Sequence, residues 1–360
     1  MTAQRIAVDE AGDDLVIERE GSAGIIRLNR PAALNAVTIG MVRGISRALD
    51  VFEHDPAIVT VLLEGAGERG LCAGGDIRSL YDNARIGSDF GAVFWREEYV
   101  LDARIASFAK PFIAYMDGLV MGGGIGLAGH ADHRIVTDRT RLAMPEVGLG
   151  FFPDVGGTWI LSRAPGEIGT YYGLTGNMMN GAEAVYTGFA DHLIRAGDWS
   201  ALRAMLTQLP AKAGAADVKR TIEQVAVTGE AAPIAAQRNL IDRAFGHDSV
   251  EEIVAALQRD GSDFARKTLA AINEKSPRGL KLTLKMLQLG RSSISLKECL
   301  VREYRAALGV YASADFVEGI RAAIIDKDRS PKWSPPRIED VTSQIIESYL
   351  EPRGQGELKL

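Results

Sequence analysis

Three consecutive glycines, in Met121-Gly122-Gly123-Gly124-Ile125-Gly126, stand between an apolar strand-like run and a helix-like run. With no side chains in the way, such a segment brings backbone N–H groups close to a ligand, with the positive end of a helix behind them. That chemistry suits a phosphate, or a carbonyl oxygen that becomes an oxyanion. A second small-residue loop, Leu71-Cys72-Ala73-Gly74-Gly75-Asp76, follows a strand candidate ending at Leu63 and precedes another helix-like segment. Together the two loops offer two separated amide donors, which is what an oxyanion hole requires.

Three carboxylates could act beside such donors. Glu146 directly follows Pro145. Asp154 comes eight residues later, in Phe151-Phe152-Pro153-Asp154-Val155-Gly156-Gly157, where aromatic neighbours and close backbone predict partial burial. Burial raises a carboxylate's pKa and favours acid/base work. Glu98 falls on the apolar stripe Phe94, Leu101, Ile105, Phe108 at spacings of 4, 3, 4 and 3, whereas Glu97 points elsewhere. A charge on a core-facing stripe is either a helix-end exception or a site residue.

Other readings of these residues are weaker. Gly124-x-Gly126-x-x-Gly129 formally matches a dinucleotide fingerprint, with Glu146 as the ribose acid. That fingerprint normally opens its domain, and its acid ends the second strand, whereas Glu146 follows Met144-Pro145, beyond a strand ending at Thr137. His130 and His133 lack a third convergent ligand, so no metal site is expected. Cys72 has no nearby histidine to activate it. Lys281 and Lys285, one turn apart, suit phosphates or, more simply, a solvated basic face.

The elements that must position these groups alternate over the first half. Strands are predicted at Asp14–Glu18 and Gly24–Leu28 around Glu20-Gly21-Ser22, then at Ile58–Leu63, Pro111–Met116, Arg134–Thr137 and His192–Arg195. Thr38 caps a helix whose stripe is Val42, Ile45, Leu49 and Phe52. Crossovers of this kind give an α/β domain, placed at residues 1–196. The stretch Leu209–Ala232, rich in alanine and small residues, reads as a domain boundary or an exposed connection. Residues 197–360 are otherwise mainly helical, with patterns at Val250–Leu257, Asp263–Asn273, Leu280–Leu289, Leu296–Leu308 and Asp315–Ile325.

Bulk properties set the limits. The 360 residues are 46% apolar, enough for a sizeable core, and a net charge of -6 argues against a nucleic-acid partner. Two cysteines without a pairing framework suit a reducing compartment. The start, MTAQRIAVDEAGDD, is acidic and lacks the apolar core of a signal peptide, and the glycine-rich run Gly118–Gly129 is too short for a membrane span. A soluble cytoplasmic protein with no membrane partner is the expectation.

Several motifs occur in a fixed order: Leu28-Asn29-Arg30-Pro31, Asn35-Ala36, Cys72-Ala73-Gly74-Gly75-Asp76, Gly122-Gly123-Gly124 and Pro145-Glu146. In these the chain resembles the crotonase (enoyl-CoA hydratase/isomerase) superfamily over about residues 14–195. The resemblance implies a spiral of ββα turns followed by a C-terminal helical region. It also implies an acyl-CoA ligand, no cofactor beyond the CoA of the substrate, and an oxyanion hole from the N–H groups of Gly75 and Gly123. Hydratases of this superfamily carry two catalytic glutamates. Glu146 matches the second, but Gly126 stands at the position of the first.

Further segments resemble the 3-hydroxyisobutyryl-CoA hydrolase branch: Arg96-Glu97-Glu98-Tyr99, Phe152-Pro153-Asp154-Val155-Gly156-Gly157, Arg302-Glu303-Tyr304-Arg305, Glu318-Gly319-Ile320-Arg321, Ile325-Asp326-Lys327-Asp328 and Ser330-Pro331-Lys332-Trp333. They extend the likeness over nearly the whole chain. Carried over, it places Glu98, Gly123, Glu146 and Asp154 at substrate, with Glu146 and Asp154 catalytic and Glu98 accepting a hydrogen bond from the substrate hydroxyl. The implied reaction is hydrolysis of a short branched 3-hydroxyacyl-CoA. A one-base enoyl-CoA isomerase and a non-catalytic acyl-CoA-binding protein are the alternatives. A homo-oligomer built through the C-terminal helices is compatible with the resemblance.

Overall fold

The computed structural model describes residues 3–360, so Met1 and Thr2 of the acidic leader lie outside it. Its strands are β1 (Gln4–Arg5), β2 (Leu15–Glu20), β3 (Ala23–Leu28), β4 (Thr60–Gly65), β5 (Gly70–Cys72), β6 (Phe112–Met116), β7 (Leu119–Met121), β8 (His133–Thr137), β9 (Arg141–Ala143) and β10 (His192–Ile194). Seven form one sheet in the order β1-β2-β3-β4-β6-β8-β10, and three form another, β5-β7-β9.

The hairpin β2–β3 is antiparallel, with Glu20 opposite Ala23 across a two-residue turn at Gly21-Ser22, where Gly21 takes φ 59°. That left-handed conformation is the one such a tight turn needs and glycine adopts without strain. From β3 onward the large sheet is parallel, with Ile25 opposite Leu62 and Leu62 opposite Ile113. Parallel strands are covered on both faces, which explains why Thr60 to Leu63 are all buried.

Three successive pairs, β4–β5, β6–β7 and β8–β9, each give the first strand to the large sheet and the second to the small one. A helix or helical turn follows each pair: Ile77–Arg85, Gly123–Ala128 and Glu146–Leu149. This recurring path is the ββα spiral that the resemblance implies. The two glycine loops and Pro145-Glu146 therefore occupy equivalent places in it, each just after the second strand of a pair.

Two compact units cut across the linear order. One comprises Met1–Gly75, Val100–Leu142 and Met179–Ala232; the other comprises Asp76–Tyr99, Ala143–Met178 and Pro233–Leu360. The division differs from the expected 1–196 and 197–360. Residues after 196 stay with the large sheet because Leu202, Leu206, Val218 and Ile222 bury themselves against Ile25, Leu62, Ile113, Ile135 and Ile194. The supposed connection Leu209–Ala232 is thus partly core: it holds the helix Ala215–Glu223, and Val227 N–H donates to the Leu193 carbonyl at 2.7 Å.

The second unit collects the C-terminal helices, among them Val250–Asp260, Asp263–Asn273, Pro277–Ser292, Leu296–Tyr311 and Ala314–Ile320. The third starts earlier than its apolar stripe because Ser276 accepts from Gly279 N–H at 3.1 Å and Pro277 occupies the first turn. The last stops at Ile320 and passes into a wider π turn, Arg321–Ile325. Among the described residues no helix is long and apolar enough to cross a membrane.

Candidate active site

In the first unit the two glycine loops lie side by side. A Cβ built on Gly74, where φ is 112°, would sit 3.6 Å from the Met121 carbonyl oxygen and 4.0 Å from Gly123 N. A Cβ on Gly124 would come 2.8 Å from both the Cβ and the carbonyl oxygen of Cys72. Close approach therefore requires glycine at 124, whereas at 74 the space would admit a Cβ and the positive φ is what favours glycine. Val37 N–H donates to the Gly74 carbonyl at 2.9 Å, a contact that does not use the amide of Gly75. Gly122, at φ 46°, turns the chain so that Gly123 opens the helix Gly123–Ala128.

The second unit gathers the carboxylates. Glu98, Glu146 and Asp154 are all buried, at 2%, 8% and 5% exposure. Among the described residues none of the three forms an ion pair with a lysine or arginine. Glu98 Oε1 and Glu146 Oε2 have no hydrogen-bond partner, whereas Asp154 Oδ2 accepts from the Tyr99 hydroxyl at 2.5 Å. Buried polar atoms are nearly always paired, so these two oxygens stand out as acceptors that the chain itself leaves unused.

Burial, then the charge of Asp154 and then that of Glu146, push Glu98 well above the usual carboxylate range. Glu146 is raised by burial and by Asp154. Asp154 is pushed up to about 7, chiefly by burial, with the Tyr99 hydrogen bond opposing and the charge of Glu303 reinforcing the rise. Aromatic rings supply the dry surroundings: Trp95 stacks on Phe151 at 5.3 Å, and Phe151 on Phe152 at 4.6 Å.

Each carboxylate has a rigid mount. Glu146 begins a 3-10 turn that ends at Gly150, φ 72°, and Phe151 N–H donates back to the Glu146 carbonyl at 3.1 Å. Gly150 has no room for a Cβ because the Asp315 backbone carbonyl lies against it, and the backbone of Leu149 closes on Gly319 in the same way. Ser276 N–H donates to the Val147 carbonyl at 3.2 Å. The Glu318–Arg321 motif is therefore structural support for Glu146. Arg321 in turn gathers Glu318 at 2.9 Å, Asp326 at 2.6 Å and Asp328 at 2.7 Å.

Asp154 precedes two residues with positive φ, Val155 at 50° and Gly156 at 76°. For a β-branched residue that region is strained. Glu98 lies in the interior of the helix Phe90–Ile105, so the helix-end explanation for its place on the stripe fails. Tyr99 and Glu303 lie in the motifs Arg96–Tyr99 and Arg302–Arg305, in which the sequence assigns neither a role. Tyr99 adjoins Glu98, and Glu303 falls between the buried Cys299, Leu300, Ala307 and Val310 at helical spacing, which is the signal that exposed Glu98.

A proton-linked stability change follows from Asp154. The folded chain binds its proton up to about pH 7, whereas an ordinary aspartate loses it near 3.8. The proton therefore stabilises the fold at low pH, and that contribution is lost as pH rises through the folded value. Asp154→Asn keeps an oxygen for Tyr99 and cannot ionise. Urea unfolding should show the variant gaining stability relative to wild type from about pH 4 to about pH 7, with little further change above that. Parallel stability curves for the two proteins would contradict the raised Asp154.

Asp132 Oδ2 accepts from Phe112 N–H at 2.9 Å, and the His133 ring lies 5.6 Å from His192. Among the described residues no group of three His, Cys, Asp or Glu is placed to hold a metal. Cys72 is buried, with Sγ against the backbone of Gly74 at 3.3 Å. Lys281 pairs with Glu251 at 2.6 Å and donates to the Val341 carbonyl, while Lys285 is exposed.

The spiral of ββα turns belongs to a known class. The chain is a member of the enoyl-CoA hydratase/isomerase family, which matches residues 23–350. More particularly, it is 40% identical to the mitochondrial 3-hydroxyisobutyryl-CoA hydrolase of Xenopus laevis, over 96% of this chain and 90% of that protein. It is 38% identical to the enzyme of the same name from Gallus gallus, over 98% and 92%. A crystal structure described as a carnitinyl-CoA dehydratase from Mycobacterium thermoresistibile superposes with a TM-score of 0.91, at 40% identity over 97% of this chain and 99% of that one. The cytoplasmic expectation does not stand, because these curated hydrolases are named as mitochondrial. Composition and an acidic leader carry too little information to fix a compartment.

Proposed function

We propose that this chain hydrolyses the thioester of a short branched 3-hydroxyacyl-CoA, with 3-hydroxyisobutyryl-CoA giving 3-hydroxyisobutyrate and CoA in valine breakdown. The observation that carries this reading is the buried cluster of Glu98, Glu146 and Asp154, which has no ion-pair partner among the described residues and an unpartnered buried oxygen on Glu98 and on Glu146. The names of the curated relatives support the same reaction.

In this reading the N–H groups of Gly75 and Gly123 receive the thioester oxygen as it becomes an oxyanion, each such donor being worth about 3 kcal/mol in the transition state. Glu146 either attacks the carbonyl carbon, expelling CoA thiolate and leaving an anhydride that water opens, or takes a proton from a water that attacks directly. Both routes consume one water and break only the C–S bond of the substrate. Asp154, oriented by Tyr99, positions the water or the substrate hydroxyl and returns a proton. Glu98 recognises the hydroxyl. Burial pushes its carboxyl group above the usual range, and its unpartnered Oε1 is the acceptor for that hydroxyl.

The structural neighbour described as a carnitinyl-CoA dehydratase favours a second reading, reversible chemistry at a double bond. Gly126 weighs against hydration, since a glycine buried within the helix Gly123–Ala128 can neither hold nor activate water. The isomerase alternative, with Glu146 as sole base, is separated by its products. Incubation with 3-hydroxyisobutyryl-CoA should release one free thiol per substrate, read with a thiol reagent. A shifted double bond in a 3-enoyl-CoA, with no thiol release from either ester, would favour the isomerase.

A further inference from the structure

Glu303 is a fully enclosed acid whose charge reaches Asp154. It lies in the helix Leu296–Tyr311 with no exposed surface. Among the described residues it has no ion-pair partner. Its carboxylate is held by a segment far earlier in the chain: Oε2 accepts from Gly156 N–H at 2.7 Å, and Oε1 accepts from Thr158 N–H at 3.1 Å and from the Thr158 hydroxyl. Those amides belong to the bend and first turn that directly follow Asp154.

Stability alone gives a poor reason for this arrangement. A buried carboxylate without a cation is costly to desolvate, and well-packed apolar groups commonly serve such positions as well or better. Its three hydrogen bonds do something an apolar side chain cannot do. They fix the peptide groups on the far side of the Val155–Gly156 bend, whose positive φ angles of 50° and 76° persist only under outside constraint. Gly157 N–H also donates to the Asp154 carbonyl at 2.6 Å, so a bend held at 156 and 158 also fixes the backbone of Asp154.

The same helix supports the other side of Asp154. Tyr304, next to Glu303, meets the Tyr99 ring edge-on at 6.4 Å, and Tyr99 donates to Asp154. Arg96 in turn holds the Tyr304 hydroxyl at 2.7 Å.

We propose that Glu303 is the positioning residue of the site: by gripping Gly156 and Thr158 it holds the Val155–Gly156 bend in the one conformation that presents Asp154 to Tyr99 and to substrate. This rests on the hydrolase reading for its catalytic consequence. Burial pushes Glu303 up to about 7, opposed by these hydrogen bonds, and its charge adds to the rise of Asp154.

The test is a double-mutant cycle. Glu303→Gln places an amide NH2 where a backbone N–H needs an acceptor, and so loosens the grip. In the wild-type background it should lower kcat for thiol release by about 100-fold, the loss typical of slight misplacement, with KM within about 2-fold. In an Asp154→Asn background the same change should cost no more than about 3-fold, because a residue acting through Asp154 has nothing left to position. Equal losses in both backgrounds overturn the proposal, since a merely structural brace would weaken both enzymes alike. If Glu303→Gln fails to fold, Thr158→Val, which removes only the hydroxyl contact, enters the same cycle with a smaller expected loss and the same criterion. Should the wild-type chain release no thiol from any CoA ester, the functional reading fails and amide exchange still decides this one. Faster exchange at Gly156 and Thr158 in Glu303→Gln supports the grip; unchanged exchange there overturns it.

Discussion

Glu146→Gln should lose at least about 1,000-fold in thioester hydrolysis while still binding the CoA ester, because the change removes a nucleophile or base without altering the shape of the site. The mount of the residue makes the substitution clean. Glu146 is fixed by its own backbone turn, by Gly150 against Asp315 and by Ser276 on Val147, none of which uses its carboxyl group. Glutamine also relieves the cluster of one reluctant charge, so the fold should not suffer. Binding measured by calorimetry with 3-hydroxyisobutyryl-CoA itself, which the variant cannot turn over, completes the experiment. Turnover near that of wild type would sink the role of Glu146 under either the anhydride or the general-base route.

Glu98→Ala should cost more on a hydroxylated ester than on a plain one. Glu98 Oε1 is buried and unpartnered, and a substrate hydroxyl would satisfy it. Removing such a bond should lower kcat/KM for 3-hydroxyisobutyryl-CoA by about 10- to 100-fold, the equivalent of about 1.5–3 kcal/mol. Isobutyryl-CoA has no hydroxyl to offer. For it the intact Glu98 is a cost, since a buried carboxyl group is left unpaired, and the variant should lose little or even gain. Equal losses on both esters would assign Glu98 to packing or to the field around Glu146.

Much of this site was legible in the sequence wherever local physics and tertiary role coincide. Thr38 caps its helix, accepting from Met41 N–H at 3.2 Å, and Val42, Ile45, Leu49 and Phe52 are buried as their spacing predicts. Glu98 stood out because a charge interrupts an apolar stripe. The same test applied to Leu296–Tyr311 would have found Glu303. The strands β5, β7 and β9 escaped because three residues carry no readable alternation. They are also what makes the ββα path recur, so the structural repeat leaves no sequence repeat behind it. The stretch Leu209–Ala232 misled because small residues signal exposure, yet Val218 and Ile222, four apart, are enough to bury one face of a short helix. Tyr99 could not be assigned to Asp154 from sequence, since that pairing joins residues 55 positions apart. Compartment was the largest misreading.

The most direct test is the ratio of thiol-release efficiencies for 3-hydroxyisobutyryl-CoA and isobutyryl-CoA, measured on the wild-type chain under identical conditions. A site built to pair a substrate hydroxyl with a buried carboxyl group should prefer the hydroxylated ester by at least about 100-fold in kcat/KM. Equal efficiencies, or no thiol released from either ester, would contradict the account.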